Sequence, residues 1–229
     1  MHGAIFDLDG TLADTAADLL AAANAALAEV DLPTLDYRSE RQVAGRGGRA
    51  MIRRAIVLAG RDPDASPEQA LTDELYPKLL IAYEARIADQ TILFEGVEDC
   101  LDRLAADGWR LGICTNKPER LARILMTKLG VLDRFGALLG ADTLAVRKPD
   151  PLHFTQTCSQ IGADPAMSVM IGDTSTDLLT ARAVGCPCIL TRFGFAAEPL
   201  ESLAPDAIVE HYEEMPGVLE TLTADRVAS

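Results

Sequence analysis

Two carboxylates separated by a single residue follow the first apolar run of the chain. Asp7 and Asp9 lie in the segment Asp7-Leu8-Asp9-Gly10-Thr11, directly after Ala4-Ile5-Phe6. If that run is a buried strand, the pair sits at its carboxyl end, where open α/β sheets bind their ligands. Carboxylates there can act as nucleophile, as general acid and base, or as metal ligands. Asp-Gly is also a common turn dipeptide, so the segment alone fits a polar turn equally well.

Three further polar clusters follow apolar runs and favour the chemical interpretation. They are Thr115-Asn116-Lys117, Arg147-Lys148-Pro149-Asp150-Pro151 and Gly172-Asp173-Thr174-Ser175-Thr176-Asp177. The first and third come directly after runs that end at Cys114 and Ile171, and the second opens a helical pattern. A parallel sheet brings the carboxyl ends of its strands to one edge, so all four clusters are predicted to share a site.

The elements that must position these clusters alternate along the chain. Short apolar runs predict strands, and the longer segments between them show helical periodicity, as in residues 97–106 and 118–129. This order is typical of an α/β fold with a parallel Rossmann-like sheet and helices on its faces. The predicted strands are residues 4–6, 110–114, 137–139, 168–171, 187–190 and 207–209.

Residues 15–88 break this alternation. Their periodicity is helical throughout, loops are indicated at Asp31-Leu32-Pro33 and Arg61-Asp62-Pro63, and no strand is predicted. We therefore predict an α/β catalytic core from residues 1–14 and 89–229, and an inserted α-helical cap domain from residues 15–88. An insertion joined at both ends to one edge of a sheet is well placed to act as a lid.

The composition excludes several classes of protein. The 229 residues are 48% apolar and 24% charged, with a net charge of −14, which argues against nucleic acid or an anionic membrane as a partner. The five cysteines include no CxxC pair, so neither a disulfide framework nor a zinc site is indicated. With no secretory signal pattern and no membrane-spanning apolar run, we expect a soluble, cytoplasmic protein. Composition leaves both a monomer and a homodimer open.

In their order along the chain, the four clusters resemble the four motifs of the haloacid dehalogenase-like superfamily of phosphohydrolases. The matching residues are Asp7-x-Asp9-Gly10-Thr11, Thr115, Lys148 and Gly172-Asp173-x-x-x-Asp177. The second aspartate looks like the phosphatase and phosphomutase branch of the superfamily. Within it, Thr115-Asn116-Lys117-Pro118, Lys148-Pro149-Asp150-Pro151 and the helical insertion are most similar to phosphoglycolate phosphatases, which usually carry Pro where Glu95 stands here.

The resemblance implies a Mg²⁺-dependent phosphatase that forms an aspartyl phosphate on Asp7. It implies that Asp9 acts as general acid and then base, and that Mg²⁺ is held by the side chains of Asp7 and Asp173 and by the backbone carbonyl of Asp9. Carboxylate attack on a phosphate dianion is electrostatically uphill, so a divalent cation is expected. Since aspartic acids are ordinarily ionised at neutral pH, we expect the neighbouring Asp7 to help keep Asp9 protonated, unless the metal neutralises Asp7.

The other matched residues are expected to contact phosphate oxygens or to orient the site. Lys148 supplies a positive charge, and the Thr115 hydroxyl and nearby backbone N–H groups donate hydrogen bonds. Asp177, one helical turn after Asp173, is expected to orient a metal-bound water or Lys148, although an exposed aspartate in the first turn of a helix is an equally good interpretation. The remaining predicted substrate-binding residues of the core are Gly10, Thr11 and Asn116.

Positive charge is concentrated in one part of the predicted cap. Residues 38–61 contain seven arginines and one acid, a net of +6 against −20 for the rest of the chain. Within them, Gly45-Arg46-Gly47-Gly48 resembles the family's cap specificity loop, where Arg46 could fork onto a substrate carboxylate. Most of these arginines also fit a solvated face paired with acids, and Arg49 is the second candidate for contact with a substrate.

Three functions stay open from the sequence. The favoured one is a Mg²⁺-dependent phosphomonoesterase acting on a small acidic metabolite such as 2-phosphoglycolate. The second is a phosphosugar mutase or a pyrophosphatase on the same scaffold. The third is a catalytically silent binding module, against which the intact set of acidic and basic motif residues argues; these are Asp7, Asp9, Lys148 and Asp173.

Overall fold

The computed structural model describes residues 1–227, with side chains through residue 224, and divides them into two compact units. The first unit combines Met1–Asp14 with the chain from Leu93 onward, and the second is Thr15–Ile92. The strands are β1 Gly3–Phe6, β2 Ala13–Asp14, β3 Ile92–Leu93, β4 Arg110–Cys114, β5 Ala137–Leu139, β6 Ser168–Gly172, β7 Cys188–Thr191 and β8 Ala207–Val209. The α-helices are α1 Ala16–Leu27, α2 Tyr37–Ala44, α3 Gly48–Leu58, α4 Ser66–Arg86, α5 Val97–Ala106, α6 Glu119–Lys128, α7 Pro151–Ile161, α8 Ser175–Val184, α9 Leu200–Leu203 and α10 Met215–Val227.

A six-stranded parallel sheet forms the centre of the first unit, in the spatial order β5-β4-β1-β6-β7-β8. Phe6 of β1 pairs with Ile113 of β4 on one side and with Ile171 of β6 on the other. Because the three strands end level with one another, the loops that follow them meet at one edge of the sheet. This is the edge at which the polar clusters were predicted to gather.

Most strands of this sheet are runs of buried residues with no polar alternation. Every residue of β1, β5, β6 and β7 is buried, the pattern expected when helices cover both faces of a parallel sheet. All six predicted strands are present. They differ from the prediction by single residues: β1 begins one residue earlier, β6 ends one residue later, and β7 is shifted by one.

Two helices of the first unit begin at capping residues, which also position the loops that precede them. Asp150 caps α7, accepting a hydrogen bond from the Leu152 N–H at 2.9 Å, and Pro151 occupies the first turn. Thr174 and Asp177 form a capping box at the start of α8. Helix α7 packs on β1, β4 and β5 and against α8, which covers β6 and β7. The two caps therefore fix the loops that follow β5 and β6.

The second unit is a helical bundle in which α1 packs against α2, α3 and α4. The Asp18 carboxylate of α1 is buried and accepts hydrogen bonds from the backbone N–H groups of Gln90 and Thr91 and from the Thr91 hydroxyl, at 2.7 to 3.1 Å. These bonds tie residues 90–91 to α1. For this reason the unit extends to Ile92, whereas the sequence pattern ended the cap at residue 88.

The five cysteines are buried free thiols, as the missing CxxC spacing indicates. Across residues 1–227, no helix combines the length and the apolar character that a membrane span requires.

Candidate active site

The loop after β1 brings Asp7 and Asp9 to the edge of the sheet. The Asp7 N–H continues the strand pairing by donating to the Ile171 carbonyl at 2.8 Å. Gly10 follows with a φ of +80°, and a Cβ at that position would lie 2.2 Å from the Asp173 carboxylate, so the turn requires glycine. The side chains of Asp7 and Asp9 remain 14% and 20% exposed, which leaves both within reach of a ligand.

Lys148 links two carboxylates of the site. Its Nζ lies 3.0 Å from Asp7 Oδ1 and 2.6 Å from Asp177 Oδ1, and its side chain is 1% exposed. Burial by itself lowers the pKa of Lys148, but the carboxylates of Asp177 and Asp7 outweigh it and raise that pKa, so the ammonium stays charged. The second oxygen of Asp177 accepts from the backbone N–H of Asp173 and Thr174 at 3.3 and 3.1 Å. Asp177 is buried, so the interpretation of an exposed first-turn residue is wrong.

Asp173 is buried and held by two segments distant in sequence. Its Oδ1 accepts from the Thr11 hydroxyl at 3.3 Å, and its Oδ2 accepts from the Phe195 N–H at 2.7 Å. Gly194 packs so tightly that a Cβ there would lie 2.2 Å from the Cβ of Asp173 and 2.7 Å from the Gly10 carbonyl oxygen. The loop after β7, residues 192–195, thus lies directly against Asp173 and the turn that follows β1.

The aspartates concentrate negative charge in a buried place. One carboxylate oxygen from each of Asp7, Asp173 and Asp177 lies within 4.8 Å of the others. Since Lys148 supplies one positive charge, three ionised carboxylates leave two net negative charges. Burial raises the pKa of Asp7 from 3.8 to about 6, opposed by Lys148 and reinforced by Asp177. Burial, Asp177 and Asp7 likewise raise the pKa of Asp173 well above its ordinary value.

A divalent cation fits this donor set. Hard cations such as Mg²⁺ prefer carboxylate oxygens, and a charge of +2 would balance the two excess negative charges. Asp177 is paired closely with the Lys148 ammonium at 2.6 Å, whereas Asp173 accepts hydrogen bonds but forms no ion pair among the described residues, so the charge of Asp173 is available to a cation.

A second buried lysine contacts Asp9. Lys117 Nζ donates to the two Asp9 oxygens at 2.9 and 3.2 Å, and the lysine side chain is 3% exposed. The expectation that Asp7 helps keep Asp9 protonated stays a prediction. The loop after β4 lies beside the loop after β1, because the two strands pair, and it places an ammonium on both Asp9 oxygens.

The remaining predicted core residues lie in the same place. Thr115 is buried, its hydroxyl donates to Asp7 and opposes the rise in the pKa of that carboxyl, and it accepts from the Lys117 N–H at 3.2 Å. Asn116 is exposed and donates to the Lys148 carbonyl at 3.0 Å. The structure brings together every predicted site residue of the first unit; these are Asp7, Asp9, Gly10, Thr11, Thr115, Asn116, Lys148, Asp173 and Asp177.

Two features of the site were missed from the sequence. Lys117 stands inside a motif that was recognised, and its position two residues after Thr115 at a strand end was the available signal. The segment Phe193-Gly194-Phe195 follows the predicted strand 187–190, so a glycine at the same sheet edge was also visible. The sequence does not reveal which aspartate Lys117 or the glycine segment contacts, because those contacts depend on how neighbouring loops pack.

The arginines of the second unit differ in their contacts. Arg54 binds Glu40 with both prongs, Nε and Nη2 lying 2.8 and 2.9 Å from the two carboxylate oxygens. Arg49 pairs with Asp73, so the second candidate for substrate contact is already engaged. Arg46 is exposed, and no residue in the described chain forms a hydrogen bond or ion pair with its side chain.

Comparisons with known proteins match almost the whole chain. Residues 4–191 match the family model of haloacid dehalogenase-like hydrolases. A phosphoglycolate phosphatase of Caulobacter vibrioides is 39% identical over 217 residues, covering 95% of this chain and 90% of that protein. One of Agrobacterium fabrum is 37% identical over 227 residues, covering 99% and 96%. The crystal structure of a predicted phosphoglycolate phosphatase from Haemophilus somnus 129PT superimposes with a TM-score of 0.83 at 26% identity, covering 94% of this chain and 96% of that one.

Proposed function

The chain belongs to the haloacid dehalogenase-like hydrolases and is a phosphoric monoester hydrolase, and we propose that it hydrolyses a small carboxylated phosphomonoester of the 2-phosphoglycolate type through an aspartyl phosphate on Asp7. The observation that carries this proposal is the position of Asp7. Its carboxylate is partly exposed at the sheet edge, 3.0 Å from the Lys148 ammonium and within 4.8 Å of a carboxylate oxygen of Asp173. A nucleophile must be accessible to the substrate, and it needs nearby positive charge that offsets the charge of the incoming phosphate dianion.

The proposed reaction has two displacements. A carboxylate oxygen of Asp7 forms a bond to phosphorus while the bond from phosphorus to the leaving oxygen breaks, and Asp9 gives its proton to that oxygen. Asp9 then accepts a proton from a water molecule, which attacks phosphorus and releases Asp7 and inorganic phosphate. Lys148 stabilises the negative charge on Asp7 and on the transferring group, and the Thr115 hydroxyl donates to the same oxygens.

We propose that Mg²⁺ is the metal of this site, held by the side chains of Asp7 and Asp173 and by the backbone carbonyl of Asp9. When bound, the cation neutralises charge on the phosphate oxygens and on the carboxylates. The two excess negative charges of the buried aspartates support this assignment. In this proposal Asp177 positions Lys148, since its carboxylate lies 2.6 Å from the Lys148 ammonium.

We propose that the Arg46 guanidinium binds the carboxylate of the substrate. Arg46 is exposed and lacks a side-chain partner among the described residues, whereas Arg49 and Arg54 are paired with acids of the same unit. A guanidinium matches a carboxylate with two parallel hydrogen bonds. The names of the relatives from Caulobacter vibrioides and Agrobacterium fabrum support this substrate class. The helical unit would then be the specificity domain, and a small metabolite as substrate fits the predicted cytoplasmic location.

Release of inorganic phosphate from a panel of compounds tests the proposed function. The panel contains 2-phosphoglycolate, simple alkyl and aryl phosphates, a phosphosugar and pyrophosphate, each with Mg²⁺. We expect the highest kcat/KM for 2-phosphoglycolate. Asp7→Asn should lower turnover by about 1,000-fold or more, because the nucleophile is lost.

Asp107→Asn is the matched control, since Asp107 is an exposed carboxylate at the end of α5. It should retain wild-type turnover. Conversion of the phosphosugar without phosphate release would indicate a mutase instead, and inertness toward every compound would indicate a silent binding module. Turnover by Asp7→Asn within about tenfold of wild type would exclude Asp7 as the nucleophile.

A further inference from the structure

We propose that Lys117 is a positioning residue of the reaction, which holds Asp9 in the orientation from which Asp9 delivers its proton to the leaving oxygen. The inference rests on the proposed function, because it assumes that Asp9 is the general acid. The residue lies outside the four motif positions to which the chemistry was assigned. Its contact with Asp9 is the observation that points to it.

The geometry of Lys117 is fixed at both ends. Its backbone N–H donates to the Thr115 hydroxyl at 3.2 Å, and its carbonyl accepts from the Ala141 N–H at 2.9 Å. Its Nζ lies 2.9 and 3.2 Å from the two oxygens of Asp9. An ammonium that reaches both oxygens from a fixed backbone sets the plane of the carboxylate as well as its position.

Asp9 depends on this lysine to a degree that Asp7 does not. Asp7 has contacts from Lys148 and from Thr115. Among the side chains of residues 1–224, Lys117 is the one that forms hydrogen bonds to the Asp9 carboxylate. Without Lys117, the partly exposed Asp9 side chain would rotate freely, and a proton donor must lie within hydrogen-bond reach of its acceptor.

The burial of Lys117 argues against a role in fold stability alone. A lysine at 3% exposure loses its hydration, and a buried ion pair seldom stabilises a fold more than apolar side chains of similar volume would. The pair also lies at the site edge, with Asp9 20% exposed, rather than in the apolar core. A role in the reaction explains why the charged Lys117 side chain is buried at the edge of the site.

The dependence on the leaving group separates this role from a structural one. An alkyl alkoxide needs a proton as it leaves, whereas p-nitrophenolate leaves without one. We use kcat/KM, since it reports only the steps up to formation of the aspartyl phosphate and is independent of its hydrolysis. Lys117→Met should lower kcat/KM by about 100-fold for 2-phosphoglycolate and by less than about threefold for p-nitrophenyl phosphate.

Two further variants complete the experiment. Asp9→Asn should show the same leaving-group pattern, and the double variant should be no worse than Asp9→Asn, because both substitutions remove one function. Lys128→Met is the matched control, since Lys128 is exposed at the end of α6, and it should keep both kcat/KM values. If Lys117→Met does not fold, Lys117→Arg replaces it in the same comparison, because a displaced charge should also misorient Asp9.

An equal loss for both substrates in a folded variant would overturn the inference, since it would mean that Lys117 acts through charge or fold. Additive losses in the double variant would overturn it as well. Failure of the proposed function looks different: wild-type protein would release no phosphate, or Asp9→Asn would leave hydrolysis of 2-phosphoglycolate unchanged.

Discussion

The two units of the molecule handle positive charge in opposite ways. In the first unit, the lysines Lys117 and Lys148 are buried and contact carboxylates at 2.6 to 3.2 Å. In the second unit, Arg54 and Arg61 bind acids while more than two fifths of each arginine side chain stays exposed, and Arg46 is exposed with no side-chain partner in the described part of the chain. Under the proposed function, the charges that act on the phosphate are fixed by burial, whereas the charge that binds the substrate carboxylate stays at the surface.

This difference predicts where substitutions act. Removing one partner of a buried ion pair leaves an uncompensated charge inside the protein, and the free energy of unfolding falls strongly. Breaking an exposed pair has little effect on stability, with a median of about 0 to 1 kcal/mol. Substitutions at the sheet edge should therefore change chemistry or metal binding. Substitution of an arginine without a buried partner, such as Arg46, should matter only where a ligand is bound, whereas Arg54 and Arg61 pair with the buried Glu40 and Glu68.

A methyl group at Gly194 tests how rigidly the first unit is built. No unusual φ obstructs alanine there, but its Cβ would lie 2.2 Å from that of Asp173 and 2.7 Å from the backbone carbonyl oxygen of Gly10. We expect Gly194→Ala to displace Asp173 and to raise the dissociation constant for Mg²⁺ about 10- to 100-fold, as substitutions behind metal ligands do. Isothermal titration calorimetry with Mg²⁺ measures this directly, independently of turnover.

Gly217→Ala is the control for this experiment, because a Cβ at Gly217 of α10 meets no atom within 4 Å. It should bind Mg²⁺ like the wild type. If Gly194→Ala folds and its dissociation constant stays within about twofold of wild type, the loop after β7 does not position Asp173 for a metal.

A smaller effect is expected at Arg46 of the second unit. Arg46→Ala should raise KM for 2-phosphoglycolate about tenfold, the loss of one exposed charge-assisted contact, and should leave KM for p-nitrophenyl phosphate unchanged. Arg53→Ala serves as control, since Arg53 is held by the Pro63 carbonyl and by Asp64. Steady-state kinetics on both substrates measures the comparison. Equal changes on both, or an equal change in Arg53→Ala, would remove Arg46 as the residue that reads the carboxylate.

The sequence predicts the scaffold of the site well, for a physical reason. Buried strands such as β1 and β5 are continuous apolar runs, and a parallel sheet brings the loops that follow its strands to one edge. The polar clusters at those strand ends therefore had to meet. This accounts for Asp7, Lys148 and Asp173 lying together in the structure.

The contacts between loops could not be predicted in the same way. Lys117 was visible in its motif, but its pairing with Asp9 depends on the lateral packing of two loops. The same holds for Phe195, whose N–H donates to Asp173, because no side-chain pattern marks a backbone donor. The end of the helical unit followed from the contacts of Asp18 with residues 90–91, which periodicity does not reveal.

The central claim is that Asp7 becomes phosphorylated, and a crystal structure of the protein soaked with fluoroberyllate and Mg²⁺ tests it most directly. Beryllium trifluoride mimics a phosphoryl group on a carboxylate. We predict electron density for this group bound to a carboxylate oxygen of Asp7, with Lys148 in contact with a fluorine. Density at another residue with the Asp7 oxygens unmodified would contradict the account.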